Sequence, residues 1–265
     1  MAGILNNIRS YRQVGYLNTP TNFAVGRTTL KSRIHEARSL HANVYLKRGY
    51  ILESDLDTKR HINVLKDPYY KHSSYFVVSE YGNENRVVAT ARQIRATEEQ
   101  GHNSFPIIKE IELYPEMKAT ILALDPKKCV EISGLAKKSG ESSSAVMALY
   151  RSMWHHSLRN RHHLWLIACD VKVFERLKYL FGDAFVRIGD NAFYMGSEIV
   201  PAMLEVNKSV DTLMEDSKTI NPMKRRMKRE LMKFFMSGLP VKLHQLSKKS
   251  IVPSRELAKI MEEIL

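Results

Sequence analysis

Apolar positions recur along this chain in two rhythms, and the switches between them divide it into elements. Ile34, Ala37, Leu40, His41, Val44 and Tyr45 form a helical stripe that Gly49 ends. Tyr75-Phe76-Val77-Val78 and the segment from Arg86 to Arg95 read as two strands joined around the turn Gly82-Asn83-Glu84-Asn85. A helix follows from about Ser144 to Asn160, with Val146, Leu149 and Met153 at helical spacing, then a strand Leu164-Trp165-Leu166-Ile167-Ala168. The next helix spans Val171 to Phe181: Asp170 caps it, Gly182 ends it, and Phe174, Leu177 and Phe181 share a stripe. Phe185 to Ile188 and Ala192 to Met195 close the series across the hairpin-like turn Gly189-Asp190-Asn191. Strands alternating with helices in this way predict an α/β protein.

Between the second strand and the Ser144 helix lies the most informative segment, Cys129-Val130-Glu131-Ile132-Ser133-Gly134-Leu135-Ala136. A two-residue period puts Glu131, Ser133 and Leu135 on one face and Val130, Ile132, Gly134 and Ala136 on the other. Both faces are largely apolar, as in a strand covered on both sides. A carboxylate there is desolvated, which raises its pKa toward the range a general base needs near neutral pH. Gly140 then permits a tight turn, and Ser142, Ser143 and Ser144 open the following helix. Free backbone N–H groups at such a start attract phosphate. A salt-bridged structural glutamate and a plain capped helix are the alternative reading of the same residues.

The order of these elements resembles the acyl-homoserine-lactone synthases and the long-chain N-acyl amino acid synthases, both variants of the GNAT acyltransferase fold. The similarity runs from about Arg33 to Met195. Val88-Ala89-Thr90-Ala91-Arg92 is similar to the family's glycine- or alanine-threonine-x-arginine strand, and Val130-Glu131-Ile132-Ser133 to its glutamate-x-serine strand. The stretch from Asn103-Ser104-Phe105-Pro106 to Glu112 resembles the segment that follows the arginine strand. Two departures stand out. Homoserine-lactone synthases normally follow the glutamate-x-serine with arginine, where this chain has Gly134. Both tryptophans, Trp154 and Trp165, lie beyond the glutamate strand, so recognition of S-adenosylmethionine is not implied.

The resemblance implies a GNAT-like mixed sheet flanked by helices over residues 31–206, after an irregular arm over 1–30 and before a basic helical extension over 207–265. It implies N-acyl transfer, with Glu131 as catalytic base and Ser133 helping to place the amine or a water. Leu135, Ala136, Lys137, Gly140, Ser142 and Ser143 are then the acyl- and pantetheine-binding residues. Arg92 is a candidate for the acceptor's carboxylate or for a structural ion pair, since an Arg fork matches a carboxylate. Lys137-Lys138-Ser139-Gly140-Glu141-Ser142 is a poor version of the glycine-rich loop that holds coenzyme A pyrophosphate, which favours an acyl carrier protein thioester (acyl-ACP) over acyl-CoA as donor. The acceptor is an amino acid or related amine. No tightly bound cofactor is implied.

Charge and cysteine usage refine this picture. The net charge of +13 draws acidic partners, and residues 207–265 carry +6 of it. Acyl carrier proteins are acidic, so Lys137, Lys138, Arg151, Arg159 and Arg161 suit docking if they share a face. Two cysteines, Cys129 and Cys169, both in apolar strands, argue against a disulfide scaffold and suit a reducing cytoplasm. No apolar run approaches the roughly 18 residues of a membrane span, and the first ten residues have no signal-peptide core. His155-His156 and His162-His163 lack the i, i+4 spacing of a zinc helix, and no metal site is expected.

The tail has its own pattern. Asn221-Pro222 starts a helix in which Met223, Met227, Leu231, Phe234 and Phe235 lie opposite Lys224, Arg225, Lys228 and Arg229. Gly238 and Pro240 end it, and Ser254 caps a last helix carrying Leu257, Ile260, Met261 and Ile264. The cationic amphipathic segment 222–237 suits peripheral contact with an anionic membrane, or packing on the core or a second subunit. Two rivals remain: an acetyl-CoA-dependent GNAT N-acetyltransferase, and a basic nucleic-acid-binding protein. Nucleic acid is not the expected partner, and a non-catalytic remnant of the GNAT fold is a further alternative, given Gly134 and the poor phosphate loop.

Overall fold

The computed structural model describes residues 23–57, 64–80, 83–216 and 222–236. Ten strands and seven helices are formed among them: β1 (Phe23–Thr28), α1 (Lys31–Lys47), β2 (Leu56–Asp57), β3 (Val64–Leu65), β4 (Ser73–Glu80) and β5 (Asn83–Arg95). Then come α2 (Pro106–Glu110), α3 (Pro115–Leu122), β6 (Cys129–Lys137), α4 (Ser143–Arg159), β7 (Leu164–Cys169) and α5 (Val171–Phe181). The chain continues through β8 (Phe185–Arg187), β9 (Ala192–Tyr194), β10 (Ser197–Glu205), α6 (Val206–Asp216) and α7 (Pro222–Met236). The main sheet has the order β1-β4-β5-β6-β7-β10-β8, with β9 also on β10. Every neighbour pair is antiparallel except β6 and β7. This is the mixed, helix-flanked sheet expected from the sequence. No helix among the described residues is long and apolar enough to cross a membrane.

The period-2 alternation of the strands feeds two different cores. Phe76, Val78, Val130, Ile132, Trp165, Ile167, Ala202 and Leu204 face one side, where they meet Leu149, Met153 and Trp154 of α4 and Phe174 and Phe181 of α5. On the other side, Tyr75, Val77 and Ala136 pack against Ala37 and Leu40 of α1. Ile94, Cys129, Leu166 and Met203 share that second face with Ile107 and Ile108 of α2 and Ile121 of α3. Ser142 caps α4 by accepting from the Ser144 N–H at 3.2 Å, and Asp170 caps α5 through the Lys172 N–H at 2.8 Å.

Three expectations change. The hairpin expected across Gly189-Asp190-Asn191 does not form: β8 and β9 each pair with β10, a strand that the sequence pattern did not outline. Residues 23–28, placed in the irregular arm, form β1, because an antiparallel register with β4 pairs Phe23 with Glu80 and Thr28 with Tyr75. Phe23 and Val25 thereby enter the core under α4. The apolar stripe of α7 also turns inward. Leu231, Phe234, Phe235 and Met236 are buried in the main core, with the Phe235 ring 5.7 Å from Trp154 and 5.5 Å from Phe181. The His155 Nε2–H donates to the Phe235 carbonyl at 2.5 Å, and Trp154 Nε1 donates to Ser209 Oγ of α6 at 2.8 Å. These side chains of segment 222–237 therefore face protein and not lipid. The rest of the arm, the Gly82 turn, the Gly238 and Pro240 stop and the Ser254 helix lie outside the described residues.

Candidate active site

Glu131 sits in the middle of the sheet, and its neighbours on both flanking strands are apolar. The register pairs it with Ile94 of β5 and Leu166 of β7, both fully buried. Its own exposure is 4 %. Helix α2 covers it, and the backbone N–H of Ile107 donates to Glu131 Oε2 at 3.0 Å. Pro106 at the first position of α2 supplies no N–H, so that of Ile107 is the first donor of the helix. Burial pushes the Glu131 carboxyl up to about 8, outweighing the lowering by the Ile107 bond and by the Arg92 charge. A carboxylate so placed gives up and takes a proton near neutral pH.

Just past Glu131 the sheet opens. The parallel pairing of β6 with β7 runs from Cys129 opposite Leu164 to Ile132 opposite Ile167 and stops there, while β6 continues to Lys137. Beyond Ile132, the edge of β6 that faces away from β5 has no strand partner. The β5 side carries an irregularity at the same place: Thr90 faces Ala136 and Arg92 faces Ser133, so β6 holds one extra residue. Gly134 absorbs it with a φ of +62°, a left-handed conformation in which a glycine has no Cβ penalty. The bulge overturns the expected face assignment. Leu135 crosses to the α4 side with Val130 and Ile132, and Ala136 takes its place beside Tyr75 and Val77. It also accounts for glycine where an arginine is expected by resemblance. A Cβ at Gly134 would lie 3.3 Å from the His41 ring and 3.6 Å from Arg92 Cγ.

Arg92 and Ser133 are opposite one another on the same face as Glu131. Ser133 is half-buried. Arg92 is not free: its Nη1 forms an ion pair with Asp67 Oδ2, both side chains being about 5 % exposed. The Asp67 pair answers to the structural role of the two open to Arg92, and it leaves the buried Nε without a hydrogen-bond partner among the described residues. Asp67 escaped the sequence reading because it lies in a loop, 25 residues away. The guanidinium also acts on His41 of α1, whose pKa drops to about 3, chiefly through burial and then through Arg92 and Arg38. His41 is therefore a neutral wall of the site. Tyr69 and Tyr194, both part-buried, complete the surroundings of Glu131; burial raises both phenols, and Glu131 and Glu110 raise them further. Neither tyrosine was singled out from sequence, since aromatic residues in strands and loops carry no distinguishing signal.

The residues expected to hold the pantetheine arm line up along the open strand and the turn after it. Leu135, Ala136 and Lys137 end β6, Gly140 takes a φ of +82°, and Ser142 and Ser143 form the start of α4. Lys137 Nζ donates to the Glu141 carbonyl and, at 3.4 Å, to that of Lys138, so it braces this turn from within. Arg86 holds the Glu141 carboxylate at 3.5 Å. The wider basic cluster does not form. Arg151 is buried with its guanidinium 5.1 Å from the Phe234 ring, and Arg159 ends a helix whose start is about 24 Å away at 1.5 Å per residue.

On the far side of Glu131 lies a cleft of about 490 Å³, lined by Pro68, Tyr69, His72, Gln100, Asn103 and Lys109.

Neither a scan of protein-family models nor a search of curated proteins finds a match to the chain. Solved structures do share its fold. FeeM, an N-acyl amino acid synthase from uncultured soil microbes, superimposes with a TM-score of 0.54 at 14 % identity, covering 72 % of this chain and 94 % of FeeM. The AHL synthase LasI gives 0.54 at 18 % identity, covering 72 % and 92 %. BjaI, a CoA-dependent acyl-homoserine lactone synthase seen with SAM and isopentyl-CoA, gives 0.54 at 11 % identity, covering 78 % and 88 %. The fold is thus the GNAT-like one of acyl-homoserine-lactone and N-acyl amino acid synthases, as the sequence motifs suggested.

Proposed function

We propose that the chain is an N-acyltransferase that moves a fatty acyl group from an acyl carrier protein thioester to the amine of an amino acid or related acceptor. The single observation that carries this reading is Glu131: a desolvated carboxyl pushed up to about 8, at the point where β6 and β7 part, in a fold shared with an N-acyl amino acid synthase. An amine is protonated near neutral pH and must lose a proton before it attacks. Glu131 Oε2 is held by the Ile107 N–H, which leaves Oε1 to take that proton. Ser133, one residue on along the same face, positions the amine or a bridging water.

The new C–N bond forms at the thioester carbonyl, the C–S bond breaks, and the departing thiolate is protonated. Backbone N–H groups near Leu135 and Ala136, on the unpaired edge of β6, polarise the carbonyl. The pantetheine arm runs along this edge, with its phosphate at the Gly140, Ser142 and Ser143 turn. A carrier protein is favoured as donor because that turn has one left-handed glycine and a lysine spent on its own carbonyls, which suits a single phosphate better than a pyrophosphate. Acyl-CoA, the donor type named for BjaI, is the alternative.

Mass spectrometry of lipid extracts from cells expressing the full chain or its Glu131→Gln variant tests the reading. A new N-acyl species that is present with the first and absent with the second is the expected result. Purified chain offered acyl-ACP and acyl-CoA of equal chain length then identifies the donor. Transfer from acyl-CoA at the same kcat/KM as from acyl-ACP removes the carrier-protein assignment.

A further inference from the structure

Glu131 divides the second face of the sheet into two approaches. In one direction β6 and β7 separate and lead toward Lys137. In the other direction the register sets Ser73, Ile94 and Glu131 side by side, so His72 before β4 and the segment after Arg95 lie just beyond the Glu131 end of the sheet. The 490 Å³ cleft occupies that position. Tyr69 lines it and lies close enough to Glu131 for the carboxylate to act on its phenol. A donor entering along the open strand and an acceptor entering through the cleft would meet at Glu131 from opposite sides.

The polar lining of the cleft is specific. Gln100 and Asn103 offer amide groups, and Lys109 offers a cation. His72 adds an Nε2 without a hydrogen-bond partner among the described residues. Lys109 stands two residues after Ile107 on α2, so the segment that fixes the Glu131 carboxylate also carries the cation. The Lys109 ammonium is only loosely engaged, 3.9 Å from the exposed carboxylate of its neighbour Glu110. Arg92, by contrast, is buried, with its Nη1 paired to Asp67 and its Nε without a hydrogen-bond partner among the described residues. We infer that the cleft is the acceptor site and that it takes a zwitterionic amine, an α-amino acid, whose carboxylate is held by Lys109 with Asn103 and Gln100 while its amine faces Glu131. The role of acceptor rests on the acyl-transfer reading; the binding of an amino acid here does not.

Calorimetry on the full chain with a panel of the twenty amino acids and their decarboxylated amines tests it, alongside Lys109→Met and Asn103→Ala. Lys109 is largely exposed, so its substitution leaves the core alone. At least one amino acid should bind the unaltered chain, its decarboxylated amine at least about tenfold more weakly. Lys109→Met should weaken the amino acid at least about tenfold and leave the amine unchanged. In turnover assays the same variant should raise KM for the amino acid while leaving KM for the thioester as it was. Equal binding of amino acid and amine, unchanged affinity in Lys109→Met, or no binding by any member of the panel would each overturn the inference. Intact amino acid binding without acyl transfer would instead remove the proposed activity and leave the site standing.

Discussion

The Ile107 N–H and Glu131 Oε2 are 3.0 Å apart, joining the start of a five-residue helix to the centre of the sheet across 24 positions of sequence. That bond orients a carboxyl whose neighbours on both flanking strands, Ile94 and Leu166, are apolar. Glu131→Gln keeps the acceptor for Ile107 and removes the base. Turnover should fall at least about 100-fold while circular dichroism and the melting midpoint stay native-like. Near-normal turnover by the folded variant would take Glu131 out of the mechanism.

The raised pKa of Glu131 makes a pair of pH predictions. The active base is the ionised form, so kcat/KM should climb roughly tenfold per pH unit below about 8 and level off above it. Stability runs the other way. With the folded value at about 8 and the ordinary carboxyl value at 4.5, protonated Glu131 favours the folded state. Its contribution is complete below 4.5 and is lost as pH rises through 8. The denaturant midpoint of the native chain, compared with Glu131→Gln, should therefore decline between those values; a constant difference would contradict the assigned burial.

Asp67 and Arg92 form a buried pair in which each leaves the other exposed to a desolvation penalty if removed. Asp67→Asn or Arg92→Met should each cost about 3–5 kcal/mol in urea unfolding, and the double replacement Asp67→Leu with Arg92→Met should recover a large part of that. Equal and additive losses would mean that the two side chains are not coupled.

Gly134 carries two separable constraints, its positive φ and its contact with His41. Gly134→Ala should lose about 1–2 kcal/mol from the backbone conformation, with a further loss from the 3.3 Å contact of its Cβ with the His41 ring, and Gly134→Arg more. Adding His41→Ala should relieve the steric part of both losses and leave the backbone part. Thermal melts of the four variants distinguish these contributions.

Phe235 of α7 touches Trp154 and Phe181 in the main core. Phe235→Ala is expected to cost about 3–5 kcal/mol, the range for truncating a buried aromatic. A melting curve unchanged from the native chain would show that α7 docks without contributing to the fold.

Many of the elements were legible in the linear chain; β1, the short helices α2 and α3, the strand β10 and α6 were not. The stripe from Ile34 to Tyr45, the Ser142 and Asp170 caps and the alternation through Val130 and Ile132 are local features, set by spacings of two to four residues. Glu131 stood out for the same reason, as a carboxylate between apolar neighbours in one strand. Even the amphipathic helix after Pro222 was correctly outlined; only the partner of its apolar side was open, because a hydrophobic face fits lipid and core alike.

What the tertiary structure decided were pairings across long separations. Asp67 claims Arg92, Ile107 orients Glu131, and Phe235 meets Trp154, each through contacts that no local periodicity encodes. The strand period failed between Ser133 and Ala136, where an extra residue moved Leu135 to the opposite face. Gly134 permits that bulge but does not announce it, since a glycine in a strand has several uses. The sequence by itself determined the helices and strands whose periodicity is strong, α1, β4 to β7, α4, α5 and α7 among them, and which carboxylate is unusual. Only the packed chain determined which side of the sheet each group faces and which charges are already spent, because burial and pairing arise when distant segments close on one another and exclude water.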